Sequence, residues 1–378
     1  MELVKSDIQR ELEDLVTRLM RDKNTFSDLQ IQLEKKQYFD RELWSAFSEL
    51  GLLSVPFSEQ LGGTGGGFGD VAVVLESLGK GLCIAPFASN VVLCGSLLPE
   101  DSPHLSSLLS GEKLLAFAHE ENGGGGEAAH LEMKAELDAE SGQNSYRLSG
   151  KKVHVFGGDV AGSYIVSAQT LDQGKDVSGM SLFLVDSNAS GVYVKPYIMS
   201  DNMGGAEITL EQASAQLIGG EGQAMPVIKR AYDRATAAVC AEAIGAMEAL
   251  VEATVEYIKT RKQFGTTIGS FQVIQHMAAD MLVHLEHARS LSLAANCYAD
   301  CSDEAERSRV ISAAKIGVNE AARFVAKTAV QLHGGIGMTE ECAIGHYFRR
   351  LSAIRLSFGD SNYHLGRMAE LESSQLIH

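Results

Sequence analysis

The sequence predicts an α+β fold in which a helical amino-terminal domain precedes a central antiparallel β-barrel or sandwich and a carboxy-terminal four-helix bundle. Two changes in hydrophobic period support this order. Helical spacing gives way near residue 113 to short alternating runs, and it returns after residue 217 in long blocks. The predicted domains are therefore residues 1–112, 113–217 and 218–378.

The amino-terminal segment has apolar residues at three- and four-residue steps, as in VAVVLESLGKGL, and Gly-rich turns at residues 62–63 and 65–67 separate its short helices. The central segment consists of β-branched or alternating runs such as YRLSGKKVHVF, YIVSAQT and MSLFLVD. No helix-length segment separates these runs. Because parallel strands need long crossover connections, we expect antiparallel pairing instead.

The carboxy-terminal segment contains four long helical blocks, at about residues 225–261, 271–301, 303–332 and 339–357. Four long helices predict a bundle. The apolar faces of these helices are rich in alanine, which lets neighbouring helices approach closely, as at Ala237, Ala238, Ala241 and Ala243.

Composition narrows the class of protein. A chain of 378 residues with 45% hydrophobic and 21% charged residues fits a soluble globular protein of two or three domains. The net charge of −17 argues against a nucleic-acid partner, because affinity for phosphate backbones depends on clustered Lys and Arg. No apolar run approaches the roughly 20 residues that span a bilayer, and the amino terminus has no signal-peptide block. We therefore expect a cytoplasmic protein without a membrane segment.

Cysteine usage predicts no metal site. The six cysteines are scattered, and only Cys297 and Cys301 lie at a helical spacing of four, with no His or second Cys pair nearby to complete a zinc site. We expect all six to be reduced and structural. The glycine run at residues 123–126 predicts a flexible loop, since it lacks the context of a phosphate-binding fingerprint.

Two carboxy-terminal motifs resemble the acyl-CoA dehydrogenase family. The first is RKQFG at residues 261–265 followed by SFQVIQ, and the second is QLHGGIGMTE at residues 331–340 followed by FRR. The amino-terminal GLLSVP and LGGTG runs also resemble the family, so the resemblance covers nearly the whole chain. At finer grain, CAEAIGAMEAL and FGDSNYHL resemble the small subunits of two-subunit bacterial dehydrogenases of the pimeloyl-CoA and steroid side-chain types.

This resemblance implies FAD-dependent α,β-desaturation of an acyl-CoA thioester. A base removes the α-proton while the β-hydride goes to the flavin, and hydrogen-bond donors stabilise the charge on the thioester carbonyl. The family also implies an electron-transfer flavoprotein or a similar acceptor, and a homo- or hetero-tetramer.

The RKQFG motif supplies the first predicted FAD contacts. Arg261 follows a helix, where a cation is favourable at the carboxy terminus whatever its function. The resemblance implies instead that Arg261 reaches the FAD pyrophosphate of a neighbouring subunit, because a planar guanidinium matches phosphate oxygens. Phe264 and Gln272 follow at the family's spacing and are expected at the same cofactor.

The QLHGG motif supplies the second set of predicted FAD contacts. Gln331 lies at the end of a long helix, and Gly334 and Gly335 let the backbone turn and approach a ligand closely. A helix cap alone accounts for the glycines but leaves Gln331 and Gly337 unexplained. We therefore expect a cofactor contact here.

The β domain departs from the family pattern. Where the family holds the flavin with a Thr/Ser-Glu loop, this chain has Phe117, Ala118, His119 and Glu120; where the family has Trp-Ile-Thr/Ser beside the flavin ring, it has His154, Val155 and Phe156. Val155 and Phe156 are still expected to face the flavin, with Val155 offering backbone groups. His119 or His154 either replaces a lost donor or is a structural histidine.

The catalytic base is also missing from its usual positions. The family's Glu-Gly-Thr run reads Phe358-Gly359-Asp360, and the alternative position on the first bundle helix falls near Ala235. Two acids are candidates for a relocated base. Asp360 lies two residues from the expected position, and Glu242 lies two helical turns beyond Ala235, where a buried carboxyl makes either an interhelix contact or a base with a raised pKa.

These observations leave three functional hypotheses. The chain is an acyl-CoA dehydrogenase with a relocated base at Glu242 or Asp360, the baseless partner in a heteromeric acyl-CoA dehydrogenase, or a flavoenzyme of the same fold with different chemistry. The visible spectrum separates the classes, because a non-enzymatic structural partner purifies colourless, flavin bands indicate an enzyme, and bleaching of those bands by acyl-CoA indicates a dehydrogenase.

Overall fold

The computed structural model describes residues 5–122, 131–138, 144–170 and 179–376. The predicted loop at residues 123–126 lies outside them. By contacts the chain forms two compact units, one of Met1–Gln37, Gly67–Cys83 and Thr236–His378, the other of Tyr38–Gly66 and Ile84–Ala235. These units follow contacts rather than chain order, so the predicted domain boundaries at residues 112 and 217 remain a prediction.

The amino-terminal part is helical, as predicted, and its helices begin at local capping signals. Ser6 with Gln9, and Thr25 with Asp28, form capping boxes in which side chain and backbone bond reciprocally. A π-helical segment, Ala88–Cys94, interrupts the later part. The α-helices are α1 (Asp7–Lys23), α2 (Phe26–Glu34), α3 (Arg41–Glu49), α4 (Phe68–Lys80), α5 (Gly95–Leu97) and α6 (Pro103–Leu109).

Seven strands form the central sheet: β1 (Leu115–Ala118), β2 (Lys134–Leu137), β3 (Ser145–Phe156), β4 (Ser163–Thr170), β5 (Gly179–Asp186), β6 (Val192–Ile198) and β7 (Gly204–Ile218). Strands β4, β2, β3, β7 and β5 pair in a ring, because β5 pairs with both β7 and β4. The prediction of a central barrel is therefore confirmed. Its interior is apolar and includes Tyr146, Leu148, Val155, Tyr164 and Phe183.

Pairing in the sheet is not purely antiparallel. β1 pairs with β4 in parallel at Leu115↔Ser163, and β2 pairs with the same strand in parallel at Lys134↔Gln169. β1 and β2 thus lie end to end along one edge of β4 and run in the same direction as β4. Because both strands lie along that one edge, no crossover helix is needed between them. The expectation of antiparallel pairing holds for the other strand pairs.

The carboxy-terminal helices are α7 (Ala224–Thr260), α8 (Gln272–Tyr298), α9 (Glu304–His333), α10 (Ala343–Ile354) and α11 (Ser361–Leu376). The first four match the predicted blocks to within a few residues, and α11 was not predicted. Helices α4 and α7 cross closely, since a Cβ on Gly79 would lie 2.1 Å from the Glu242 carbonyl oxygen and one on Gly245 would lie 1.8 Å from that of Glu76. Only glycine permits this approach.

Within the described part of the chain, no helix is long and apolar enough to cross a membrane. No group of His, Cys, Asp and Glu side chains there is arranged to hold a metal ion. All six cysteines are free thiols. The cytoplasmic location stays a prediction.

Candidate functional site

The RKQFG motif forms a tight hairpin that projects Phe264 from the surface. Two two-residue strands, β8 (Lys262–Gln263) and β9 (Thr266–Thr267), pair across a turn in which Phe264 has φ 54° and Gly265 has φ 81°. A two-residue turn with both φ angles positive matches the right-handed twist of the strands. The Phe264 side chain is 91% exposed, and Arg261 is exposed at the base of the hairpin.

The second motif lies next to the first. The Tyr257 ring, one helical turn before Arg261, stacks on His333 with ring centroids 4.3 Å apart and an interplanar angle of 24°. Gln331 is exposed in the last turn of α9, and Gly334 (φ 66°) ends that helix. The stacked pair therefore brings the ends of α7 and α9, and with them both predicted FAD-contacting segments, side by side.

The exposed surface of these segments fits a large anionic cofactor. An added Cβ on Gly265, Gly334 or Gly335 would meet nothing within 4 Å, so the backbone is open to close approach by a ligand. Gln272 is exposed at the first residue of α8. This surface suits a diphosphate attached to aromatic groups. It offers a guanidinium from Arg261, an exposed ring from Phe264, side-chain amides from Gln272 and Gln331, and open backbone at the glycines.

His119, the proposed replacement donor in the β domain, is buried and satisfied. Its Nδ1 lies 2.7 Å from Ser167 Oγ, and its ring stacks on Phe117 and meets the edge of Tyr232. Burial, and secondarily the Lys152 ammonium, lowers the pKa of His119 from 6.5 to about 3. These contacts fit a structural histidine, and the role of His119 at the flavin stays a prediction.

A buried ion pair that was not predicted from the sequence contacts the His119 backbone. Lys152 Nζ is 2.6 Å from Glu121 Oε1 and donates to the His119 carbonyl oxygen at 3.0 Å. Glu121 also accepts the backbone N–H of Glu132 at 2.6 Å and of Met133 at 3.2 Å. Burial, opposed by Glu121, lowers the pKa of Lys152 to about 8. The signal in the sequence was a lysine at a core-facing position of an alternating strand.

Val155 and Phe156, predicted to face the flavin, lie on β3 beside β7. Val155 is fully buried and paired with Ala206, whereas Phe156 is half-buried and paired with Gly205. On the other side of β7, Gly205 pairs with Tyr197 of β6, and a Cβ on Gly205 would lie 3.0 Å from the Tyr197 ring. The absence of a side chain on Gly205 therefore leaves space for the Tyr197 ring beside β7, the strand that pairs with Phe156.

Two acids near Tyr197 were also missed as candidates. Burial raises the pKa of Glu120 to about 7, and burial raises the pKa of Asp159 as well. Burial, together with Glu207, Glu120 and Asp159, raises the pKa of Tyr197. A carboxyl that titrates near neutral pH is a general feature of acid–base sites, although ion-pair networks also produce such shifts.

The segment where the family has its base carries no carboxylate at residue 358. Phe358 is buried and has φ 57°. Its carbonyl oxygen lies 3.2 Å from His364 Nε2. Gly359 has φ 102°, and a Cβ there would lie 2.2 Å from the Tyr363 ring. Asp360 accepts the Tyr363 N–H at 2.8 Å, which makes it the cap of α11.

Buried polar groups of α9 hold this segment. Lys315 Nζ donates to the Ile354 carbonyl oxygen at 2.5 Å, Asn319 Nδ2 donates to the Arg355 carbonyl oxygen at 3.2 Å, and Ser312 Oγ lies 3.1 Å from His364 Nδ1. Lys315, Asn319 and Ser312 lie at helical spacing and are all at most 1% exposed. The connection between α10 and α11 is therefore rigidly placed.

Glu242, the other candidate base, forms a buried ion pair. Its Oε1 lies 2.6 Å from both Nε and Nη2 of Arg350, with side chains 7% and 12% exposed. This is the interhelix contact that the sequence left open as one of two alternatives. Glu242 and Asp360 therefore each have a structural partner.

Neutral buried histidines give the protein a pH dependence that can be measured. Burial lowers the pKa of both His119 and His364 from 6.5 to about 3. The unfolded chain binds these protons below about pH 6.5 and the folded chain does not, so stability falls as the pH drops from 6.5 toward 3. We expect urea unfolding to give a smaller free energy at pH 5 than at pH 7.5, and His119→Gln to reduce that difference. An unchanged difference in the variant would contradict this.

Comparison with known proteins identifies the family. Acyl-CoA dehydrogenase models match the chain in order, the N-terminal domain at residues 6–99, the middle domain at 116–212 and the C-terminal domain at 222–371. Acyl-CoA dehydrogenase FadE27 of Mycobacterium tuberculosis is 31% identical over 355 residues, which cover 90% of each chain. Caffeyl-CoA reductase-Etf complex subunit CarC of Acetobacterium woodii is 26% identical over 372 residues, covering 92% of this chain and 94% of CarC.

A solved structure with the same fold is that of the ChsE4-ChsE5 complex from Mycobacterium tuberculosis. One of its chains superposes with a TM-score of 0.84 at 27% identity, with 99% of both chains covered. The fold and the matches together define an FAD-dependent oxidoreductase that acts on CH–CH groups. The chain belongs to the acyl-CoA dehydrogenase family, which confirms the resemblance inferred from its motifs.

Proposed function

We propose that this chain is the baseless subunit of a heteromeric acyl-CoA dehydrogenase, contributing FAD contacts while a partner subunit supplies the proton acceptor. The observation that carries the proposal is Phe358, a buried phenyl ring at the position of the family's base. A phenyl ring accepts no proton.

The two relocated-base candidates support this proposal by their contacts. Glu242 is held in an ion pair with Arg350, and Asp360 caps α11. A base must reach the substrate proton directly or through one water, and both carboxyls are engaged in contacts within the protein. A relocated base at either position therefore remains the second candidate.

FAD, when bound, would accept the hydride from the β-carbon. The residues that would hold FAD are exposed, and the glycines among them leave open space for a ligand. They are Arg261, Phe264, Gln272, Gln331 and the backbone of Gly334 and Gly335. We propose that this surface serves a neighbouring subunit's cofactor in a tetramer. CarC, by its name, belongs to an Etf complex, and the ChsE4-ChsE5 structure is a complex of two named chains. We therefore propose electron-transfer flavoprotein as acceptor and a second chain type as partner.

The purified chain, reconstituted with FAD, tests the proposal. Anaerobic addition of octanoyl-CoA should bleach the flavin about 10²- to 10⁴-fold more slowly than in an enzyme with a base, since this is the usual contribution of general base catalysis. Bleaching at a full dehydrogenase rate would contradict the hypothesis that this chain lacks a catalytic base. A flavin that never bleaches, even with the partner subunit present, would indicate different chemistry on the same fold.

The predicted FAD surface can be tested without an activity assay. Arg261→Gln should weaken FAD binding roughly 10- to 100-fold, because charge-assisted hydrogen bonds are lost. The free energy of unfolding of the FAD-free chain should change by no more than about 0.5 kcal/mol, as Arg261 is exposed. Titration calorimetry with FAD measures the first and urea unfolding the second.

The matched control for the FAD surface is Leu356→Ala, which truncates a side chain that is 71% exposed and lies outside both motifs. Phe264→Ala should weaken FAD binding in the same way as Arg261→Gln, whereas Leu356→Ala should not. Equal effects of all three variants would indicate that the motifs do not hold the cofactor.

A further inference from the structure

A cleft of about 510 Å³ lies within the unit that contains the β-barrel, apart from the groups described above. The first turns of α7 form one wall, and the residues after the π-helical segment form another. Its volume lies within the range of small-molecule sites. The apolar part of the lining consists of Phe57, Leu61, Leu98, Leu105, Pro226 and Val227.

Two arginines line the same cleft. Arg234 Nη1 donates to Ser96 Oγ at 3.0 Å, and Ser96 in turn donates to the Val92 carbonyl oxygen at 2.6 Å. This chain of bonds fixes the Arg234 guanidinium. Arg230, one helical turn earlier, is exposed and makes no hydrogen bond or ion pair with any residue the structure describes. Arg230 is therefore free to meet a ligand.

The charge of the cleft favours a monoanion. Glu100 is the one acidic residue of its lining, so Arg230, Arg234 and Glu100 together carry a net charge of +1. In a chain with a net charge of −17, such a local excess of positive charge stands out. A guanidinium fork matches a carboxylate, and a dianionic phosphate would overcompensate the site.

The cleft is separate from the aromatic groups of the β domain. At about 100° of rotation per residue, Arg230 and Arg234 lie on the face of α7 roughly opposite Tyr232. Tyr232 meets His119 and Phe117 on its own side. A π-helical segment leads into the cleft, and such segments occur frequently at functional sites.

We infer that this cleft binds an apolar monocarboxylate, with the aliphatic body against Phe57 and Leu98 and the carboxylate at Arg230 and Arg234. This site does not depend on the proposed function, because none of its residues belongs to the FAD segments or to the segment at residues 358–360, although Arg234 precedes Ala235, the alternative base position.

Decanoate is a suitable probe, with decan-1-ol as the uncharged analogue. Titration calorimetry on the FAD-loaded protein should show saturable binding of decanoate and at least tenfold weaker binding of decan-1-ol. Arg230→Gln should weaken decanoate binding roughly 10- to 100-fold, as expected for loss of a charged hydrogen bond. Val227→Trp should also weaken it by filling the mouth of the cleft, since Val227 is 41% exposed and its replacement does not disturb the core.

Lys259→Gln is the control, since it removes one positive charge from an exposed position at the other end of α7. It should leave decanoate affinity unchanged. The inference is overturned if decanoate does not bind, if decan-1-ol binds equally well, or if Arg230→Gln has no more effect than Lys259→Gln, which would place decanoate in the acyl-thioester site instead.

Discussion

Phe358→Glu should raise the rate at which octanoyl-CoA reduces the FAD-loaded protein by about 10²- to 10⁴-fold, the usual contribution of a positioned general base. A residue with a large side chain already adopts the left-handed conformation here, because Phe358 itself has φ 57°, and its carbonyl oxygen lies 3.2 Å from His364 Nε2. Lys315 and Asn319 hold the neighbouring carbonyl oxygens. Glutamate would therefore enter a segment whose position is fixed, without new backbone strain.

Phe358→Gln is the matched control for this gain, since glutamine has nearly the same shape as glutamate and accepts no proton at neutral pH. Stopped-flow absorbance under anaerobic conditions gives the flavin reduction rate, and the flavin content of each variant shows whether cofactor binding has changed. Equal rates in the glutamate and glutamine variants, or a wild-type rate already typical of the family, would contradict the baseless proposal.

The sequence predicted the order of helices and strands because each follows from local hydrophobic spacing. It missed α11 (Ser361–Leu376), even though Asp360 ahead of it is a strong cap residue. It also missed the parallel pairing of β1 and β2 with β4. That arrangement depends on two short strands that lie end to end along a third, which no local pattern indicates.

The FAD contacts stay a prediction, and only the local conformation of the contiguous motifs, not the contacts between distant residues, could follow from the sequence. The exposure of Phe264 follows from a two-residue turn that the local sequence specifies. The pairing of Glu242 with Arg350 joins residues 108 positions apart. A buried carboxyl in an alanine-rich helix implies a partner by its desolvation cost, but its identity depends on the tertiary fold.

Glu242→Ala should lower the free energy of unfolding by about 3–5 kcal/mol, the usual cost of breaking a buried ion pair by removing one of its members. Arg350 lies in the same unit and is 12% exposed in its side chain. Lys315 is fully buried nearby, and desolvation lowers its pKa to about 8 while the charge of Glu242 acts to raise it. Removing Glu242 thus leaves two buried cations with less compensation.

The double variant Glu242→Leu with Arg350→Met should recover most of this loss, because replacing both members of the pair by apolar side chains removes both buried charges. Asp360→Ala provides a comparison at the other candidate base and should cost only about 1 kcal/mol, as expected for loss of a helix cap. Urea unfolding monitored by circular dichroism measures all three variants. A relocated base at Glu242 predicts the reverse pattern, in which Glu242→Ala abolishes the residual acyl-CoA-dependent bleaching while stability and flavin content stay close to those of the wild type.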